Sequence, residues 1–291
     1  MKFNISEKIF SFFCDKNRKW GSVEKENLGA EKLLKIQKIE WDVFWDKLDE
    51  SNVNFKDKII VDYGCGYGFD SLFMLQEGAK HIYCLEIEQE RLDISRKLHL
   101  SHGYNNATYI DNSNISELPN KIGIGKVDII ICRDVMEHIP SPYEALNSMY
   151  EILKHGSNAY IGFSPLYKSP YGSHFSGYCK IPWIHLIFSE RTVLNVFKEL
   201  YKISDTINSY QKIPGSGLNK LSYFKYLELL KKFNWYIEKN YINRFSNSGY
   251  LKDGINILVS ILPFKSIKEL FIVSVYTKMI KNNKILFSSL Q

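Results

Sequence analysis

Ten consecutive residues, Ile59-Ile60-Val61-Asp62-Tyr63-Gly64-Cys65-Gly66-Tyr67-Gly68, join an apolar run, an acid and three glycines at alternate positions. Glycine has no Cβ, so the backbone there takes unusual φ values and a ligand can approach it closely. A helix opening directly after the turn would present free N–H groups to that ligand. A dinucleotide fingerprint, GxGxxG, needs its last small residue at position 69, where this chain has Phe69, its third glycine standing at 68. Glu86 ends the next apolar run. A carboxylate in that position accepts two hydroxyl hydrogen bonds, each charge-assisted and contributing about 1.5–3 kcal/mol.

Histidine is the side chain best suited to take a proton near neutral pH. His138 follows the apolar run 127–132, in a Glu-His-Ile-Pro sequence that could also simply shape a loop. His174 lies in the irregular, aromatic segment Ser169-Pro170-Tyr171-Gly172-Ser173-His174, which has the composition of an acceptor pocket, and reads either as a substrate contact or base or as an ordinary loop hydrogen-bonding residue. His185 sits among apolar residues and reads as structural, while Asp134 reads either as a ligand for a polar substrate group or as a solvated loop acid. The histidines show no HxxxH or HExxH spacing and the five cysteines no CxxC, so no metal is expected.

Short β-branched runs at 58–63, 81–86, 108–111, 127–132 and 159–163 alternate with helical patterns at 70–76, 89–100 and 142–153. Such alternation predicts a parallel sheet covered by helices. Upstream, residues 30–48 form an amphipathic helix with a wide apolar face, suited to pack on the sheet or cover a pocket. The stretch 164–185 has no period and reads as a functional loop. Helical patterns at 189–201 and 219–233 and apolar runs at 235–241 and 270–276 complete the chain.

The (D/E)xGxGxG turn, read with Glu86, resembles the class I S-adenosylmethionine-dependent methyltransferases. The resemblance extends to Asn114-Ile115-Ser116-Glu117-Leu118-Pro119, like the family's adenine segment, with Asp111 as a competing choice for its acid. It also takes in residues 127–138, like the fourth-strand motif beside the reactive methyl, and Leu153-Lys154-His155-Gly156, like the turn before the fifth strand. It covers residues 55–165. It implies an α/β, Rossmann-like fold: a seven-stranded mixed sheet with its last strand antiparallel and helices on both faces. The implied cofactor is S-adenosyl-L-methionine, held by Asp62, Gly64, Cys65, Gly66, Gly68, Glu86, Asn114, Ile115 and Arg133. His138, His174 and Asp134 are the candidates for catalysis. Family members that bind magnesium use acids after the fifth strand, where this chain has Ser164-Pro165. Arg18, Trp20 and the glycine after them are placed either over the cofactor's methionine end or in an exposed arm.

The expected reaction is methyl transfer to a small or medium-sized acceptor, first of all O-methylation of a metabolite or sugar-type substrate. The rivals are a quinone or lipid methyltransferase at the membrane surface, suggested by the apolar stretches 184–188 and 257–264, and a non-catalytic protein that holds the cofactor for regulation. A nicotinamide oxidoreductase is disfavoured by Phe69. One domain is expected over residues 1–291, with a cap at 1–54, a cofactor core at 55–165, a substrate-side insertion at 166–233 and a final hairpin at 234–291.

The 291 residues are 45% apolar and 14% aromatic, which excludes a largely disordered chain. The formal charge of +6 invites a nucleic-acid partner. Its lysines, however, fall on polar helix faces such as 32, 35 and 38, so no nucleic acid is expected and the partner is a small-molecule acceptor. Without a disulfide framework, a signal peptide or a run of about 18–20 apolar residues, the chain reads as cytoplasmic, with peripheral membrane contact left open.

Overall fold

The computed structural model describes residues 3–20, 30–213, 217–244 and 264–282. The expected stretch 257–264 and the glycine at 21 therefore lie almost wholly outside the described residues.

Five strands, β1 (Ile59–Tyr63), β2 (His81–Glu86), β3 (Ala107–Asp111), β4 (Val127–Arg133) and β5 (Leu153–Phe163), run parallel. Two more, β6 (Trp235–Arg244) and β7 (Ile272–Lys281), complete a seven-stranded sheet of order β3-β2-β1-β4-β5-β7-β6, in which β7 is antiparallel to both neighbours. The order reverses between β1 and β4. In open parallel sheets, ligands bind in the crevice at the carboxyl ends of the strands beside that reversal.

Buried side chains explain both faces. On one, α2 (Ala30–Leu48), α3 (Phe69–Gln76) and α4 (Gln89–Ser101) cover the sheet. The wide apolar face of α2 is spent on Trp41, Phe44, Trp45 and Leu48, with Trp45 set edge-on to Tyr160 of β5 at 5.0 Å. On the other face lie α5 (Leu118–Ile122), α6 (Pro142–Ile152) and, from a later part of the chain, α9 (Tyr223–Leu230). A third cluster is separate from both: α1 (Ile5–Phe12) and α8 (Glu190–Tyr201) pack together with the loop holding Phe175, Cys179 and the short α7 (Ile184–Ile187). The expected loop 164–185 is thus turns and one short helix folded over this third core. A short helix α10 (Lys265–Glu269) precedes β7.

Boundaries differ from the sequence pattern where tertiary pairing overrides it. β5 begins at Leu153 rather than 159, because Leu153 pairs with Val127 and Lys154 bonds Asp128 at 2.6 Å, so the polar Lys-His-Gly turn is drawn into the ladder. β7 runs to Lys281 because β6 provides ten residues of partner. All five cysteines are buried free thiols. Among the described residues, no helix is long and apolar enough to cross a membrane.

Candidate active site

Asp62 is buried, accepts a hydrogen bond from Ser71 Oγ of α3, and has its pKa pushed up to about 7, first by burial and then by the nearby Asp70. Gly64 has φ +78°, and a Cβ there would stand 2.3 Å from Val135 Cγ2. Gly66 has φ +52° and open space where its Cβ would be. The N–H groups of Gly64 and Cys65 donate to the Leu85 carbonyl at 2.8 and 2.9 Å, tying the turn to β2. Glu86 closes the arrangement by accepting from the backbone N–H groups of Gly66 (3.1 Å), Ile87 (2.8 Å) and Glu88 (3.3 Å). Three backbone donors fix its orientation and leave one of about four lone-pair sites, on Oε2, for a hydroxyl donor.

Two cavities meet at this turn. The larger, about 810 Å³, runs from Gly64, Gly66 and Glu86 past Asn114 and Ile115 to Arg133, Asp134 and His138. The smaller, about 160 Å³, is lined by Asp62, Gly64, Cys65, Gly66, Asp70 and Arg133, with Gln37 of α2 at its rim. Gly64, Gly66 and Arg133 border both. Arg133 is held in place by Asp70 through two bonds of 2.7 and 2.8 Å and by Gln37 Oε1 at 3.1 Å.

Gly68 lines neither cavity. It caps α3 with φ +82°, its carbonyl accepts from His99 Nε2 at 2.8 Å, and a Cβ would stand 2.1 Å from Ser95 Oγ. This third glycine is therefore required by α4 packing. Asn114 borders the larger cavity, but its side chain already accepts from Ser116 Oγ and donates to Glu117 Oε1, both at 2.8 Å. The competing Asp111 is exposed and accepts the Ser113 N–H. Neighbouring Asn112 helps to line the cavity, while its Oδ1 is buried away from solvent. Arg18 and Trp20 are placed away from both cavities, with Trp20 packed on Tyr178 at 5.0 Å in the third core.

At the far end of the cavity, Asp134 takes φ +55° directly after β4, and His138 follows one turn on. The Nδ1 of His138 lies 2.9 Å from the Gly217 carbonyl. A carbonyl only accepts, so Nδ1 carries the proton, and burial favours the neutral ring. Nε2 is left with a free lone pair. His174 does not reach the cavity lining; it lies behind His138 with ring centroids 5.2 Å apart at 89°, its pKa pushed down to about 4 chiefly by burial. His185 donates to the Tyr167 carbonyl at 2.7 Å, as a structural histidine should.

Sequence reasoning passed over Asn112, Gln211, Lys212 and Gly217, which line the cavity, and Glu137, which is buried outside its lining. Glu137 was visible only as half of a Glu-His pair. The wall comes from some 80 residues further along the chain than His138, and no local pattern announces it.

A family model described as a methyltransferase domain matches residues 54–164. Arginine N-methyltransferase 1 of rice (Oryza sativa subsp. indica) is 34% identical over 84 residues, 29% of this chain and 21% of that protein. The ubiquinone biosynthesis O-methyltransferase of Pseudoalteromonas translucida is 32% identical over 117 residues, 39% of this chain and 46% of that protein. The chain thus spans less than half the length of these curated relatives. An S-adenosylmethionine-dependent methyltransferase from Mesorhizobium loti superposes with a TM-score of 0.50 at 13% identity, covering 83% of this chain and 97% of that one. The cofactor of the family fits the residues present: Gly66 is open to the cavity, and Glu86, which lines it, keeps a lone pair for a hydroxyl. Residues 54–164 are a methyltransferase domain, and the chain is built on the fold of the class I S-adenosylmethionine-dependent methyltransferases.

Proposed function

We propose that this protein transfers a methyl group from S-adenosylmethionine to a hydroxyl of a small or medium-sized acceptor of metabolite or sugar type. The observation that carries this reading is the continuous cavity of about 810 Å³ from the Glu86 carboxylate to His138. That volume lies towards the top of the roughly 300–1,000 Å³ range of small-molecule sites. It has room for a nucleoside-sized cofactor at the Glu86 end and an acceptor at the His138 end.

When bound, the cofactor would supply an activated methyl to the acceptor oxygen, and the hydroxyl proton would pass to the Nε2 lone pair of His138. The protein's work is alignment, which can be worth about 7–11 kcal/mol. Glu86 orients the ribose end, the Asp62 and Arg133 cavity receives the amino-acid end, and His138 faces the acceptor with its Nε2 lone pair. Glu86→Ala is expected to weaken cofactor binding about 10- to 100-fold in calorimetry; unchanged affinity would remove the assignment. Formation of S-adenosylhomocysteine across a panel of sugars, phenols and carboxylic acids identifies the acceptor class, and any turnover rules out a purely regulatory cofactor holder.

A quinone or lipid acceptor is the second reading, supported by the name of the ubiquinone-pathway relative and by the exposure of Leu186 and Ile187 on α7. Co-sedimentation with liposomes separates it from a soluble acceptor, which predicts no binding.

A further inference from the structure

His138 sits in the irregular turn between β4 and α6, where its backbone N–H donates to the Val135 carbonyl at 2.8 Å. One such bond closes the turn but leaves the direction of the imidazole to whatever packs against it. What packs against it is Asn219, half-buried and 80 residues along the chain from Ile139. Its Nδ2 donates to the carbonyls of Met136 at 2.7 Å and Ile139 at 2.8 Å, one on each side of His138. Its backbone N–H donates to the Glu137 carbonyl at 3.0 Å. Its Oδ1 accepts the Leu221 N–H at 2.8 Å, so the amide cannot turn its donors away without losing that bond as well.

Two residues before Asn219, the Gly217 carbonyl accepts Nδ1–H of His138 at 2.9 Å. The segment 217–219 therefore holds the turn through three backbone carbonyls and through the ring itself. It is anchored on both sides, Leu218 being buried in the third core and Leu221 in the core of α6 and α9.

We propose that Asn219 is a positioning residue for His138. By spanning the Met136 and Ile139 carbonyls it sets the turn so that the imidazole keeps its proton on Nδ1, against Gly217, and its Nε2 lone pair for the acceptor. This rests on the reading of His138 as the base of methyl transfer. The two neutral tautomers differ in which nitrogen can accept a proton, and the bond made by one nitrogen decides the role of the other. A ring released from Gly217 can carry its proton on Nε2 and then has no lone pair to offer there. Asn219→Asp is the isosteric probe: it keeps the acceptor for the Leu221 N–H and the backbone bond to Glu137, and it replaces the two Nδ2 donors with an oxygen that repels both carbonyls.

The test uses the full chain. Long-range proton–nitrogen correlation spectra of the histidine rings, with His138→Ala to assign the signal, should show His138 as the Nδ1–H tautomer in the wild type and shifted towards Nε2–H in Asn219→Asp. S-adenosylmethionine affinity should stay within about twofold, because Asp62 and Glu86 lie on other elements. With the panel compound that the wild type methylates fastest as acceptor, kcat should fall about 100-fold, as for a base displaced by about 1 Å, and the acceptor's KM should change by less than about threefold. In the His138→Ala background the same substitution should change kcat by less than about twofold, since a residue acting through His138 has nothing left to position. A merely structural role would slow both backgrounds alike. If circular dichroism shows that Asn219→Asp does not fold, Asn219→Ala, which removes the donors without adding a charge, decides by the same measurements. An unchanged His138 tautomer in a folded variant, or an equal loss of kcat in the His138→Ala background, overturns the assignment. A wild type that methylates no panel compound would instead overturn the methyl-transfer reading, and the tautomer measurement would still decide whether Asn219 holds the ring.

Discussion

Asp62 is expected to couple cofactor binding to pH. Its pKa stands near 7 in the free protein because burial and Asp70 disfavour the carboxylate. An ammonium group bound in the cavity it lines would favour the ionised form, so binding releases a proton whenever the pH lies below about 7. The sign follows: affinity falls as pH drops through the raised value, by about tenfold between pH 8 and pH 6. Calorimetry in buffers of different ionisation enthalpy measures the proton release, and Asp62→Asn should flatten the profile. A second contrast concerns two glycines that look alike in sequence. Gly68→Ala places a Cβ against Ser95 at φ +82° and should cost about 1–3 kcal/mol of stability or more. Gly66→Ala meets open space and carries only the strain of φ +52°, about 1 kcal/mol, so it should cost less stability than Gly68→Ala while cofactor affinity drops. Denaturant unfolding beside calorimetry separates the two, and equal effects on both quantities would contradict the assignment. The spacing of Asp62, Gly64, Gly66 and Glu86 was legible from the sequence because each lies within a few residues of one turn or one strand end. The division of labour among the glycines was not, since it depends on Ser95 and His99 of α4.

The elements around β1 are joined through Arg133. From the end of β4 it reaches Asp70 on α3 and Gln37 on α2, with longer contacts to Glu40 at 3.7 Å and Asp134 at 3.5 Å, and the side chains of Arg133 and Asp70 are about nine-tenths buried. Asp70→Ala removes its two short bonds and leaves the longer pairs, so it should destabilise by about 1.5–3 kcal/mol, whereas a double change to Asp70→Leu and Arg133→Met should recover much of the loss. Urea unfolding of the two variants checks this; a double variant as unstable as the single one would show that the pair does more than balance its own burial. Strand and helix positions were readable because hydrophobic period reports directly on burial, as at β2, whose limits the pattern matches. Ends were less readable where a partner strand decides, as with Leu153 at the start of β5 and Lys281 at the end of β7. His174 is a candidate for catalysis from the sequence, whereas its place behind His138, outside the cavity lining, is set by how 164–188 folds over the third core.

At the scale of the whole molecule, the third core is a cluster distinct from the two that cover the sheet, which makes it a candidate for independent loosening. Its N-terminal contribution is small in length but deeply seated: Phe10 is buried against Phe188 and Phe197, and Glu7 accepts from Asn195 of α8 at 2.8 Å. A buried Phe→Ala change costs about 3–5 kcal/mol. Local stability varies across a fold, and the cost is borne first by the unit that loses the contact. Phe10→Ala should therefore speed amide exchange in α8 and in 166–188 while β1, β4 and the glycine turn keep their protection. Because Glu86 and Asp62 sit on the sheet, cofactor affinity should hold within about twofold, while the acceptor's KM rises as the wall near His138 loosens. Hydrogen exchange read by mass spectrometry, beside calorimetry, tests the pair of expectations. Uniformly faster exchange across the sheet would mean that the molecule opens as one unit, with acceptor and cofactor ends sharing a single stability.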